Sequence, residues 1–203
     1  MQLMDIIRTD QCRALATAWQ RWRGDDLLPR RADMRIAEIT PLLPGITVLE
    51  LRSTEEIVFR LAGTKIAEIM GIELTGRNYV DFAAPPDRKG RAERAMWQGR
   101  QPCGAIFLLP IPYSSGRVVV SEVLSLPTLP NKPGEPMQLL AINWPLDDTP
   151  RHLSPADPNG FNKSADFRFV DIGAGTPDAA LQLSDLPPAL LPRPNSAVRQ
   201  PTG

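Results

Sequence analysis

IVFRLAGTKIAEIMGIELTGRNYVDF, residues 57–82, decides the fold. It reads as a strand over 57–62, a glycine turn at Gly63 and a helix of barely two turns over 64–70. Turns at Gly71 and at Thr75-Gly76 follow, and another short helix starts near Asn78. The Thr64 hydroxyl is expected to cap the first helix by accepting from an orphan amide. Gly71 stands where a left-handed C-terminal cap is wanted. Helices this short bury too little to stand alone, so they must lie against a sheet.

Upstream, residues 9–23 form an amphipathic helix. Leu15, Ala18, Trp19 and Trp22 recur at helical spacing, and Arg13, Gln20, Arg21 and Arg23 cover the other side. Gly24-Asp25 ends it. Asp33 is the expected N-cap of a second helix that carries Ile36, Ile39 and Leu43 on one face and stops at Pro44-Gly45. A strand over 46–51 and a polar hairpin loop over 52–56 lead into the deciding stretch.

Downstream, Pro85-Pro86-Asp87 marks the first turn of a helix that runs to about Gln98, with Ala92, Ala95 and Met96 inward and Gly99 as its end. Three strands follow, over 102–111, 117–126 and 137–144, the last two joined by a Pro- and Gly-rich loop over 127–136. The fold class is α+β: a five-stranded antiparallel sheet in the order 2-1-5-4-3, helices on one face, and an amphipathic N-terminal helix before it. The domain assignment is helix and linker over 1–32, the sheet domain over 33–147, and a largely disordered tail over 148–203. Nine of the last 54 residues are proline. One island, FRFVDIG, gives a possible docking segment at 166–175.

Composition narrows the function. The formal net charge is zero, so no global field draws the chain to nucleic acid or anionic lipid, and neither is expected as a partner. Cys12 and Cys103 are solitary, with no CxxC spacing, which suggests neither a disulfide framework nor a zinc site and suits a reducing cytoplasm. The longest uncharged run, residues 101–116, is 16 long, interrupted by three prolines, and short of the roughly 20 apolar residues a spanning helix needs. No membrane insertion is expected.

The segments WQRWRGDDLLPRRADM, AEITPLLPGITVLEL, FRLAGT, ELTGRNYVDF and PPDR resemble a bacterial, mainly alphaproteobacterial, family of short single-domain divergent PAS proteins. The resemblance covers residues 19–146, and FRFVDIGAG is similar to a segment that follows the domain in that family. It implies a sensory or protein-interaction module and no catalytic residues. On this basis the chain is expected to be a cytoplasmic, homodimeric, non-enzymatic module that acts in trans. It would bind a small molecule or a signalling protein such as a histidine kinase. The alternatives are a ligand-free scaffold and a small enzyme that uses the pocket.

The resemblance also assigns a pocket between helices and sheet, expected to be lined by Arg60, Ile66, Met70, Phe82, Met96, Phe107, Val120, Glu122 and Leu139. Glu122 sits mid-strand among Val118, Val120, Leu124 and Leu126, on the more apolar side of the pleat. A lone buried carboxylate is costly, so it either orients a ligand or is paired, for example with Arg60. No metal site and no cofactor are expected. His152, the only histidine, lies in the tail, leaving haem only methionine or cysteine, and the helix over 64–70 lacks the cysteine of flavin photoreceptors. Gly173-Ala174-Gly175 lacks the rest of a phosphate loop. The charged run 87–94 reads as a solvated helix face. For Leu15, Trp19 and Trp22 the preferred reading is a dimer interface, with packing inside the chain as the alternative.

Overall fold

The computed structural model describes residues 3–112, 118–146 and 165–178. The helices are α1 (Leu3–Ile6), α2 (Asp10–Arg23), α3 (Thr64–Met70) and α4 (Arg88–Arg100). The strands are β1 (Ile46–Leu51), β2 (Ile57–Ala62), β3 (Cys103–Pro112), β4 (Val118–Thr128), β5 (Gln138–Pro145) and β6 (Ala165–Asp171). All pair antiparallel in one sheet of order β2-β1-β5-β4-β3-β6. The expected five-strand order is present, and the island after the domain adds a sixth strand on the β3 edge. The tail expectation otherwise falls on residues outside those described.

Three local expectations need correction. The segment Ile36–Gly45 is a 3-10 helix kinked at Ile39, because Pro41 and Pro44 remove amide donors; Ile36 stays 45% exposed. Gly99 lies inside α4, whose C-cap is Gln101. Gly63, not Thr64, is the N-cap of α3, and Gly71 does close that helix in the left-handed region at φ 66°.

The deciding stretch can now be explained atom by atom. A Cβ at Gly63 would collide with the carbonyl oxygens of Leu43 and Pro44, so only glycine lets the chain pass there. Along the free edge of β2, the Phe59 amide donates to the Arg77 carbonyl at 2.9 Å and the Gly76 amide donates to Phe59 at 2.7 Å. The Asn78 carboxamide fastens the strand start, accepting from the Ile57 amide at 3.1 Å and donating to the Glu55 carbonyl at 2.7 Å. These bonds set Tyr79 edge-on against Phe59, with ring centroids 5.6 Å apart.

The two faces of the sheet are covered by different parts of the chain. α3 and α4 lie over one face; α2 lies over the other. Leu15, Trp19 and Trp22 pack on Ile46, Leu124, Leu126, Leu140 and Ile142, and Val170 and Ile172 extend the same core. Trp19 is 1% exposed, and its indole donates to the Pro127 carbonyl at 3.0 Å. The Trp22 indole donates to Glu38 Oε2 at 3.2 Å. The expected interface through Leu15, Trp19 and Trp22 is therefore corrected: these side chains are buried inside their own chain.

Glu122 belongs to this same face. Its carboxylate is 1% exposed and accepts from the Arg8 amide at 2.8 Å, the Thr9 amide at 2.7 Å and the Thr9 hydroxyl at 2.8 Å. Thr9 in turn is the N-cap of α2, its hydroxyl accepting from the Cys12 amide at 3.3 Å. An anion at a helix N-terminus meets the positive end of the helix dipole. Glu122 thus anchors the N-terminal helix to β4, and Arg60, expected as a partner, pairs with Glu50 at 3.4 Å instead.

Both cysteines are free and buried. Burial pushes the Cys12 thiol far above its ordinary value and the Cys103 thiol up to about 12, with the Asp171 charge adding to the second.

Candidate functional site

Between α3, α4 and the sheet lies a pocket of about 70 Å³. Its floor follows from the register. Thr47, Ala141, Ser125 and Ala105 stand opposite one another on β1, β5, β4 and β3, forming one rung of small side chains. Larger residues flank it: Leu49 and Leu139 on one side, Val123 and Phe107 on the other. The sheet is hollowed where the rung is small, and the helices roof that hollow with Ile66, Ile69 and Met70 from α3 and Arg91, Arg94, Ala95 and Gln98 from α4.

Aromatic rings close the ends. Phe59 and Tyr79 line the pocket near β2, and Phe107 and Phe167 line it near β6. The last two are stacked, with centroids 5.5 Å apart. Phe167 reaches this position through a break in the β3–β6 register between Ile106 and Leu108, beside Asp166, whose φ is 51°. Asp166 is held by Arg8 at 2.7 Å and by Arg168 at 2.7 Å. Beyond the strand, Asp171 accepts from the amides of Gly173 and Gly175, which lowers its carboxyl pKa and explains the glycine pair as a turn.

The polar groups are few. Thr47 and Ser125 come from the floor, and Asn143 lies one rung away. The Arg91 guanidinium stands over the Tyr79 ring at 5.1 Å, and that of Arg94 over Phe167 at 4.9 Å. Gln98 is 4% exposed. Its amide nitrogen lies 3.4 Å from the Arg94 carbonyl one turn back, and its Oε1 has no hydrogen-bond partner in the protein. No histidine, cysteine, aspartate or glutamate among the described residues lines the pocket. Among the described residues no cluster of such groups could hold a metal ion.

Of the nine expected lining residues, Ile66, Met70, Phe107 and Leu139 line this pocket. Phe82 packs behind Phe59, with centroids 5.8 Å apart, and Met96 packs in the same cluster. Arg60 is exposed beside Glu50, and Val120 and Glu122 lie on the opposite side of the pleat. The polar lining residues missed by the sequence reading are Arg91 and Arg94, within the charged run read as a solvated helix face, and Gln98, Thr47, Ser125 and Asn143. The signal that could have found the floor is Ser125 on the less apolar side of β4. A second cleft, of about 180 Å³, lies on the outer side between Arg8, Glu122, Asp166 and Arg168. Its volume is larger, but Arg8 and Arg168 both pair with Asp166 and Glu122 holds the chain at Arg8 and Thr9, so it fastens the N-terminal segment to β6.

A family model described as PAS domain matches residues 7–142. The chain belongs to the PAS domain family. The match takes in α2 as well as the sheet through β5, in keeping with a helix that packs as part of one core. No curated protein matches the chain. Among solved structures it is similar to one described as a Vibrio cholera VqmA–ligand–DNA complex, with 20% identity and a TM-score of 0.40. That similarity covers 57% of this chain and 52% of the other, about half its length.

The partner expectations are corrected here. That neighbour is described with DNA, so excluding nucleic acid on net charge is withdrawn; a likeness of this size argues nothing further about partners. The interface expected for a homodimer, Leu15, Trp19 and Trp22, belongs to the core of the single chain. No helix among the described residues is long and apolar enough to cross a membrane.

Proposed function

We propose that this PAS domain is a sensory, non-enzymatic module that binds a small organic molecule in the pocket between α3, α4 and the sheet. One observation carries the reading: the chain leaves a hollow above its small-residue rung and turns polar groups from four separate elements, β1, β4, β5 and α4, toward it. Apolar walls with a few placed polar groups are the makeup of a ligand site. A scaffold that filled its own cavity would carry large side chains at 47, 125 and 141.

The lining carries the hydroxyls of Thr47, Ser125 and Tyr79 but, among the described residues, no histidine, cysteine or carboxylate to activate them, which disfavours the enzyme alternative. Haem and flavin stay outside the proposal on size. A pocket of about 70 Å³ is roughly half the ~150 Å³ cavity that admits benzene, so it suits a molecule of about one small ring. A bacterial cytoplasm, where thiols stay reduced, fits the two free buried cysteines.

Pyrrole, furan and thiophene are suitable probes, followed by ligand-observed NMR. At least one is expected to bind the wild type and to lose binding in Ala141→Leu. That change adds about three methylene-sized groups at the floor; overpacking typically costs about 1–3 kcal/mol, so circular dichroism is used to show that the variant is folded. Binding of none of the three, or binding that survives the filled floor, would reject the pocket as the site.

A further inference from the structure

Resting on that reading, we infer that the molecule taken by the pocket is not a cation and carries a hydrogen-bond donor, an N–H or O–H, which it delivers to Gln98 Oε1. Gln98 stands on the inner side of α4, one turn beyond Arg94 and 4% exposed. A carboxamide has one donor end and one acceptor end. The Arg94 carbonyl, 3.4 Å away, can only accept, so it claims the nitrogen and leaves the oxygen to the pocket that Gln98 lines. No donor among the described residues reaches that oxygen.

A buried acceptor without a donor costs roughly as much as a hydrogen bond gains, so whatever occupies the pocket has to satisfy it. Water can do so. A ligand that displaces water without a donor of its own leaves Oε1 dry and is penalised for it. The pocket therefore discriminates between molecules of equal shape by whether they donate. The small rung opposite, Thr47, Ala141 and Ser125, provides the depth that lets a ring approach.

Charge decides the second half. No carboxylate among the described residues lines the pocket. An ammonium ligand would lose its water shell there with no lining carboxylate to replace it, which is unfavourable in a partly buried site. A protonated amine is excluded on this ground, and an N–H or O–H that is not part of a cation remains.

Pyrrole and furan test this directly: the two rings match in shape, and pyrrole alone donates. Pyrrolidine adds a five-membered ring that is a cation at neutral pH. By NMR titration of the full chain, pyrrole is expected to bind at least tenfold more tightly than furan, a ratio equivalent to about 1.4 kcal/mol. Pyrrolidine is expected not to compete. Gln98→Met keeps the length of the side chain and removes the acceptor, so the pyrrole preference should vanish while circular dichroism stays native. Equal or tighter binding of furan to the wild type overturns the donor inference and leaves the pocket reading standing, as does a pyrrole preference that persists in a folded Gln98→Met. Competition by pyrrolidine overturns the exclusion of cations. Failure of every ring to bind the wild type overturns both readings.

Discussion

Trp19→Ala is expected to lower the unfolding free energy by about 3–5 kcal/mol, the range for removing a large aromatic side chain from a packed core. Trp19 is 1% exposed, hydrogen-bonded to Pro127, and central to the contacts between α2 and the β4–β5 strands. A typical domain is stable by only about 5–15 kcal/mol, so the loss is a large share of the total. Urea unfolding followed by circular dichroism measures it. The oligomeric state is expected to be the same in the folded variant and the wild type. A variant with native stability and an altered assembly state would return Trp19 to an interface.

Glu122→Ala carries the second large effect. The truncation leaves the Arg8 amide, the Thr9 amide and the Thr9 hydroxyl without their acceptor in a buried site. Hydrogen bonds to a charged group contribute about 1.5–3 kcal/mol each, so even with partial rescue by water the loss should be about 3 kcal/mol or more. Glu122→Gln keeps the shape but turns an amino group toward donors, and should fall between the alanine variant and the wild type. Both variants, where folded, should bind pyrrole as the wild type does, because Glu122 lies across the sheet from the pocket. Unchanged stability with lost pyrrole binding would place Glu122 in the site after all.

Glu122 is also where the sequence misled, and the reason is physical. β4 alternates Val118, Val120, Glu122, Leu124 and Leu126 with Val119, Ser121, Val123 and Ser125. The more apolar set was taken as the pocket side. It is the side buried under α2, because a face sealed by a helix of its own chain can be fully apolar, whereas a face that holds a site keeps small and polar residues. Once α2 is assigned to an intermolecular role, the parity of β4 follows wrongly, and Val120 and Glu122 go with it. The same error hid Arg91 and Gln98. A helix with many charges reads as solvated, yet its inner stripe of Arg91, Ala92, Ala95 and Gln98 is buried.

What local chemistry dictates was legible. β1, β2 and α3 fall where turn and cap residues put them, and Gly71 adopts the cap conformation its position requires. Ile66, Met70, Phe107 and Leu139 reach the pocket because their faces were set by elements that sequence alone could place. Phe167 could not be assigned to the pocket from its spacing. Its place depends on β6 pairing with β3 across more than 50 residues of chain, and on a register break that has no local signature.

The central claim is that the α3/α4 side of the sheet is the ligand side and the α2 side is closed core. Methyl-resolved NMR during titration with pyrrole tests it most directly. Shifts are expected at Ile66, Ile69, Leu109 and Leu139, which line the pocket, and not at Leu15, Leu124, Leu126 or Ile142, which pack with α2. Shifts confined to the α2 set, or no shifts at saturating pyrrole, would contradict the account.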